Sequence, residues 1–302
     1  MKSEVARELE KLGQKNKKLF FLTGDLGYNA FESLQQILKE RFINAGVAEA
    51  NMVDVACGMA KMGLNPWVYS IAPFLILKTA EQIRNNICHP NLTVKLVGNG
   101  GGYGYGILGE SHHMLEDIAI LSSFPNIKIY VPAFSEDVKS IIEKMGKAKS
   151  PSYLRLNNVP KTTIKLNSYK PLRQILRGNK ITAVVLGTLV HNVLDAARKY
   201  KKSGIIDLWS ITEIPIVNYL PIINSVKKTK KLIIIEEHVK DGGIGEKILS
   251  KLELEKIRLE KIIHLSAKGY VKDRYGCHLF MLKQNTLDTN GIYRNFKKLY
   301  AL

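Results

Sequence analysis

Asn44-Ala45-Gly46-Val47-Ala48-Glu49-Ala50-Asn51-Met52 decides how the rest of this chain is read. Gly46 marks a turn, and the residues after it open a helix with one carboxylate, Glu49, on the first turn. Val53, Val55, Ala56, Gly58, Met59 and Ala60 carry the helix onward with small and apolar side chains. The helix dipole favours an anion at that end. Taken alone, Glu49 is an ordinary first-turn glutamate, because acidic residues are enriched there. Its surroundings give it a second meaning.

Outward from this segment, apolar strands alternate with helices in both halves, which predicts an α/β chain with mainly parallel sheets. In the first half, strands are expected at 19–23, 67–70, 92–97, 127–131 and 153–156. Helices are expected at 49–62 and 74–88, and a third is capped by Ser135. The stretch 161–178 is polar, carries Pro171 and lacks periodicity, so it is read as a linker between a domain at 1–160 and another at 179–302. In the second domain, strands are expected at 181–186, 205–209, 232–236 and 262–265, and helices at 192–200, 245–252 and 290–299.

Composition narrows the classes. The 302 residues suffice for two domains of ordinary size, and 45% hydrophobic with 24% charged residues is the balance of a soluble protein. No apolar run reaches the ~18 residues of a membrane span. The charged amphipathic start, residues 1–9, lacks the apolar core of a signal peptide and predicts a cytoplasmic protein. Cys57, Cys88 and Cys277 are too scattered for a disulfide framework or a metal site. The net charge of +18 raises nucleic acid as a partner. The lysines, however, fall in short groups such as Lys15–Lys18, Lys199–Lys202 and Lys227–Lys231, with no arginine-rich helix or aromatic RNA-binding signature. No nucleic-acid partner is expected, and a lysine-rich genome or a surface facing an acidic partner subunit accounts for the charge.

Three further stretches carry chemistry. Gly109-Glu110-Ser111-His112-His113 follows a glycine-rich loop, and imidazoles there can move protons near neutral pH. Tyr69-Ser70-Ile71-Ala72-Pro73-Phe74-Leu75, followed by Lys78, offers aromatic rings beside a cation. Gly104, Gly106 and Gly109 match G-x-G-x-x-G in form only, because no helix opens at the third glycine; NAD is not expected.

The Gly46–Met52 segment resembles the thiamine diphosphate signature of the transketolase family, and the His112 motif resembles that family's substrate-facing histidine motif. The resemblance covers nearly the whole chain, as the pyrimidine-binding fold followed by a transketolase C-terminal-like domain, each doubly wound. It implies that Glu49 shares a proton with the cofactor's pyrimidine, a form of general acid–base catalysis. It implies that His112 handles substrate oxygens, with His113 beside it, and that Phe74 stacks on the pyrimidine. Tyr69 is the alternative for stacking, a core role is open for Phe74, and Lys78 joins the cofactor-binding set.

The same resemblance exposes an absence. The family's diphosphate-binding domain carries Gly-Asp-Gly and an asparagine, which supply oxygen ligands for Mg²⁺. Gly24-Asp25-Leu26 lacks the second glycine, and Asn51 belongs to the Glu49 helix. The chain therefore looks like the C-terminal subunit of a split transketolase. Mg²⁺ ligands are expected on a diphosphate-binding N-terminal partner subunit, in an α₂β₂ assembly, with no metal ligands here. Leu108 stands where the family has an aspartate for a sugar hydroxyl, and Asn158 where it has an arginine for the sugar phosphate; Arg155 is the substitute. A modified, deoxy or nucleotide-linked sugar substrate follows as an expectation. The β subunit of a 2-oxo-acid dehydrogenase first component is the competing enzyme, and a non-catalytic regulatory subunit the non-enzymatic alternative.

Overall fold

The computed structural model describes residues 1–300 apart from 161, 163, 201–203, 272 and 273. Lys161 and Thr163 of the expected linker, and Lys201 and Lys202 of one lysine group, lie outside the described residues. The strands are β1 (Leu19–Thr23), β2 (Phe42–Asn44), β3 (Asn65–Ile71), β4 (Lys95–Asn99), β5 (Lys128–Tyr130), β6 (Ser152–Leu156), β7 (Leu172–Leu176), β8 (Ile181–Leu186), β9 (Ile206–Ile211), β10 (Glu213–Ile214), β11 (Lys231–Val239) and β12 (Lys261–Ala267). They form a seven-stranded sheet, β10-β5-β6-β4-β3-β1-β2, and a five-stranded sheet, β12-β11-β8-β9-β7. All pairings are parallel except β10 with β5 and β7 with β9. The α/β class with parallel-dominated sheets is as the sequence predicts.

Parallel strands are covered on both faces and so read as continuous apolar runs. Ile181–Leu186 is buried at every position. Successive residues of a strand point to opposite faces. Phe21 and Trp67 thus enter one core with Val5, Leu9, Leu34 and Ile141, while Leu22 and Val68 enter another with Met52, Val53, Leu75 and Ile83. The helix Glu49–Lys61 buries Glu49, Met52, Val53, Ala56 and Cys57, the single stripe that 3.6-residue periodicity allows. Among the described residues, no helix is long and apolar enough to cross a membrane.

Three expectations are corrected. The helix expected at 74–88 is broken into Ala72–Ile76, Ala80–Gln82 and a π-helical turn, Ile83–Cys88. Thr79 leaves helical geometry and donates its hydroxyl to the Leu75 carbonyl, a competing bond that interrupts the ladder. Ser135 caps nothing: its hydroxyl bonds Glu136, and the helix begins at Asp137, whose carboxylate accepts the N–H groups of Ala133 and Phe134. The stretch read as a linker contains β7, because Arg173 there is buried against Asp137 at 2.8 Å and Gln174 bonds Asp207.

Candidate active site

The chain leaves β1 for β2 on one side and returns through the Glu49 helix to β3 on the other side of β1. Such a reversal opens a crevice outside the carboxyl ends of the strands, where α/β folds hold ligands. Glu49 stands there at the N-terminus of its helix and is only 3% exposed. Ser70, near the end of β3, donates to Glu49 Oε1 at 3.2 Å, and Lys78 Nζ lies 3.4 Å from Oε2. A buried carboxylate is costly unless it is paired and hydrogen-bonded, and these two partners with the helix dipole meet that need. Gly24, at the end of β1, faces the same carboxylate. A Cβ on it would lie 3.7 Å from Glu49 Oε1, an ordinary contact, and a tighter 3.3 Å from the Gly46 carbonyl, so β1 ends directly beside the carboxylate.

From Glu49 a row of contacts leads to the histidine motif. Lys78 Nζ sits 4.6 Å from the centre of the half-buried Phe74 ring, a cation–π contact. The Phe74 ring meets His112 edge-on at 5.1 Å, and Tyr105 meets His112 edge-on at 6.3 Å. Ser111 Oγ lies 3.0 Å from His112 Nδ1, which leaves Nε2 without a protein partner among the described residues. The structure thus brings Glu49, Lys78, Phe74 and His112 into one group.

The other sequence candidates take different places. Tyr69 faces the opposite side of β3 from Ser70 and packs among Phe31 at 4.8 Å and Phe21 at 6.1 Å, inside an aromatic core. His113 leaves the turn in extended backbone and is 2% exposed, with its ring against Tyr103 and Tyr270. Burial lowers its pKa and favours neutral imidazole. Arg155 is buried and commits its guanidinium to Asp117 at 3.1 Å, Met114 O at 3.3 Å and Glu237 O at 2.7 Å. It braces the interior, and none of these bonds reaches Phe74, Lys78 or His112.

The glycine loop is tied to the second sheet. Glu237 accepts the Tyr103 N–H at 2.7 Å and pairs with His278 at 2.7 Å. Burial alone would raise the Glu237 carboxyl, but His278 and Arg155 outweigh it and hold its pKa below the ordinary value. Gly102, at φ +65°, comes so close that a Cβ would meet the Glu237 carboxyl at 2.4 Å. Sequence reasoning gave no role to Ser70, Gly24 or Tyr105. Strand alternation after Tyr69 would have turned Ser70 toward the Glu49 side; nothing local marks the other two.

Residues 1–159 match the transketolase pyrimidine-binding domain, and residues 172–260 match the transketolase C-terminal domain. The B component of the apulose-4-phosphate transketolase of Actinobacillus succinogenes is 32% identical over 211 residues, covering 68% of each chain. A putative transketolase C-terminal section of Methanocaldococcus jannaschii is 31% identical over 81% of this chain and 79% of its own. Among solved structures, a split-gene transketolase described as an inactive β4 tetramer superposes with a TM-score of 0.84 at 26% identity, covering 99% of this chain and 97% of that one.

Proposed function

The chain belongs to the transketolase family, and from that premise we propose that it transfers a two-carbon ketol unit from a ketose to an aldose as one half of a divided active site. The observation that carries this reading is the buried Glu49 carboxylate, linked by Lys78 and Phe74 to His112. Those residues fit thiamine diphosphate. When bound, the cofactor supplies a nucleophilic carbon to the ketose carbonyl. Glu49 would hold a proton against the pyrimidine nitrogen, and Phe74 would offer a ring to it. Lys78, paired with Glu49 and set over the Phe74 ring, would line the same site. His112 turns Nε2 to the substrate and exchanges a proton with its oxygen.

The diphosphate and Mg²⁺ belong on a separate N-terminal subunit that has the Gly-Asp-Gly motif, in an α₂β₂ assembly. Among the described residues, no group of three His, Cys, Asp or Glu side chains is placed to hold a metal. The solved relative described as inactive in its β4 form supports the need for a second subunit. The relative named for apulose 4-phosphate supports a sugar phosphate as substrate. Leu108 and Asn158, in place of the family's acid and base, favour a modified sugar.

Calorimetry with thiamine diphosphate and Mg²⁺ tests this reading, on the chain alone and then mixed with a Gly-Asp-Gly subunit. Weak binding alone and tight binding by the mixture are expected. Tight binding alone would mean the diphosphate site lies on this chain, and no binding by either would leave a regulatory subunit.

A further inference from the structure

We propose, on the transferase reading above, that Tyr275 of the second unit is a positioning residue that aims His112 through Gly109. Gly109 has φ +78° and ψ −168°, a backbone conformation open in practice to glycine alone. A Cβ there would lie 2.5 Å from Tyr275 Cε1 and 3.2 Å from Cδ1, so the ring is flush against the Gly109 Cα. Gly109 also starts the 3₁₀ turn Glu110–His112, and its carbonyl accepts the His112 N–H at 3.0 Å. Pressure from the ring on Gly109 is therefore pressure on the backbone that carries the imidazole.

Tyr275 is held against the loop by the residues that follow it. The Gly276 carbonyl oxygen approaches Gly106 so closely that a Cβ on Gly106 would meet it at 2.5 Å, and His278 is anchored to Glu237. The Tyr275 ring is nevertheless 71% exposed, and its hydroxyl makes no hydrogen bond among the described residues. A ring so exposed buries little apolar area and contributes little to folding. What it does contribute is a wall at one turn, and the ring rather than the hydroxyl supplies it.

The test compares Tyr275→Ala, Tyr275→Leu and Tyr275→Phe with the wild type in two measurements. Nitrogen-edited NMR of the isolated chain follows the His112 ring tautomer and its titration. Steady-state kinetics of the chain assembled with its diphosphate-binding subunit separates kcat from KM. Tyr275→Phe is expected to match the wild type in both. Tyr275→Ala and Tyr275→Leu are expected to alter the His112 ring signals and lower kcat about tenfold, with donor KM and cofactor affinity within about twofold, since a misplaced catalytic group costs rate more than binding. Unchanged His112 signals and kcat in both the Ala and Leu variants would overturn the proposal. If the wild-type assembly transfers no ketol unit, the transferase reading fails, and the NMR comparison still decides whether Tyr275 positions His112.

Discussion

Glu49→Gln keeps the size of the side chain and the bond from Ser70 but removes the ionisable carboxyl. Turnover of the assembled enzyme is expected to fall ~10²–10⁴-fold, the usual worth of a positioned acid or base. Circular dichroism and melting should stay near wild type, and an unchanged turnover would remove Glu49 from the mechanism. Lys95 makes a different residue-scale prediction. It is wholly buried on β4, donates to Ala148 O at 3.0 Å and Ser150 O at 2.8 Å, and burial pulls its pKa from 10.5 down to about 7. Between those values the unfolded chain binds more protons than the folded one, so stability rises with pH across that window. Lys95→Met should flatten the rise in thermal midpoint between neutral and alkaline pH; parallel curves for the two proteins would contradict it. Glu49 and His112 stand out in the sequence because their residue types occur inside recognisable local patterns, and contacts through Lys78 and Phe74 bring them into one group. Arg155 looked equally available, yet its partners Asp117 and Glu237 come from distant segments that no local pattern places beside it.

Elements were legible where burial is two-sided. β1 and β8 fall where continuous apolar runs predict them. β2 and β10 are too short to carry a pattern, and β7 hides behind Arg173 and Gln174, whose polarity is satisfied only by tertiary partners. The helix Ile244–Leu254 shows how one side chain secures an element. Both oxygens of the buried Glu236 carboxylate face its N-terminus, accepting the Ile244 N–H at 2.8 Å and the Gly245 N–H at 2.9 Å, while His264 bonds Oε1 at 2.7 Å. Glu236→Ala strips the helix end of its acceptors and leaves His264 without that partner. The expected loss is about 2–3 kcal/mol, a cap plus buried unsatisfied donors, read as a lower denaturant midpoint. A midpoint equal to wild type would show that the helix end is satisfied in some other way.

At the scale of the molecule, the two sheets are joined by more than the chain between them. β10 leaves the second unit to pair antiparallel with β5 of the first sheet, Glu213 opposite Tyr130. Glu213 is buried and meets Lys128 from β5 and Lys144 from the helix Asp137–Lys147, both at 2.5 Å, and Tyr169 donates to it at 2.9 Å. Burial alone would raise this carboxyl, but the hydrogen bonds from Lys128, Lys144 and Tyr169 outweigh it and set the folded pKa below the ordinary value. A group with a depressed folded pKa adds stability above its unfolded pKa and loses it as pH falls through the folded one. Glu213→Gln should therefore cost about 2 kcal/mol at neutral pH, less than a fully buried pair because both lysines are partly solvated. The gap from wild type should close as pH drops through the carboxyl range. Equilibrium unfolding of both proteins across that range checks the sign. A gap that persists into acid would mean the variant acts by disturbing the β10 pairing, with no part played by the carboxylate charge.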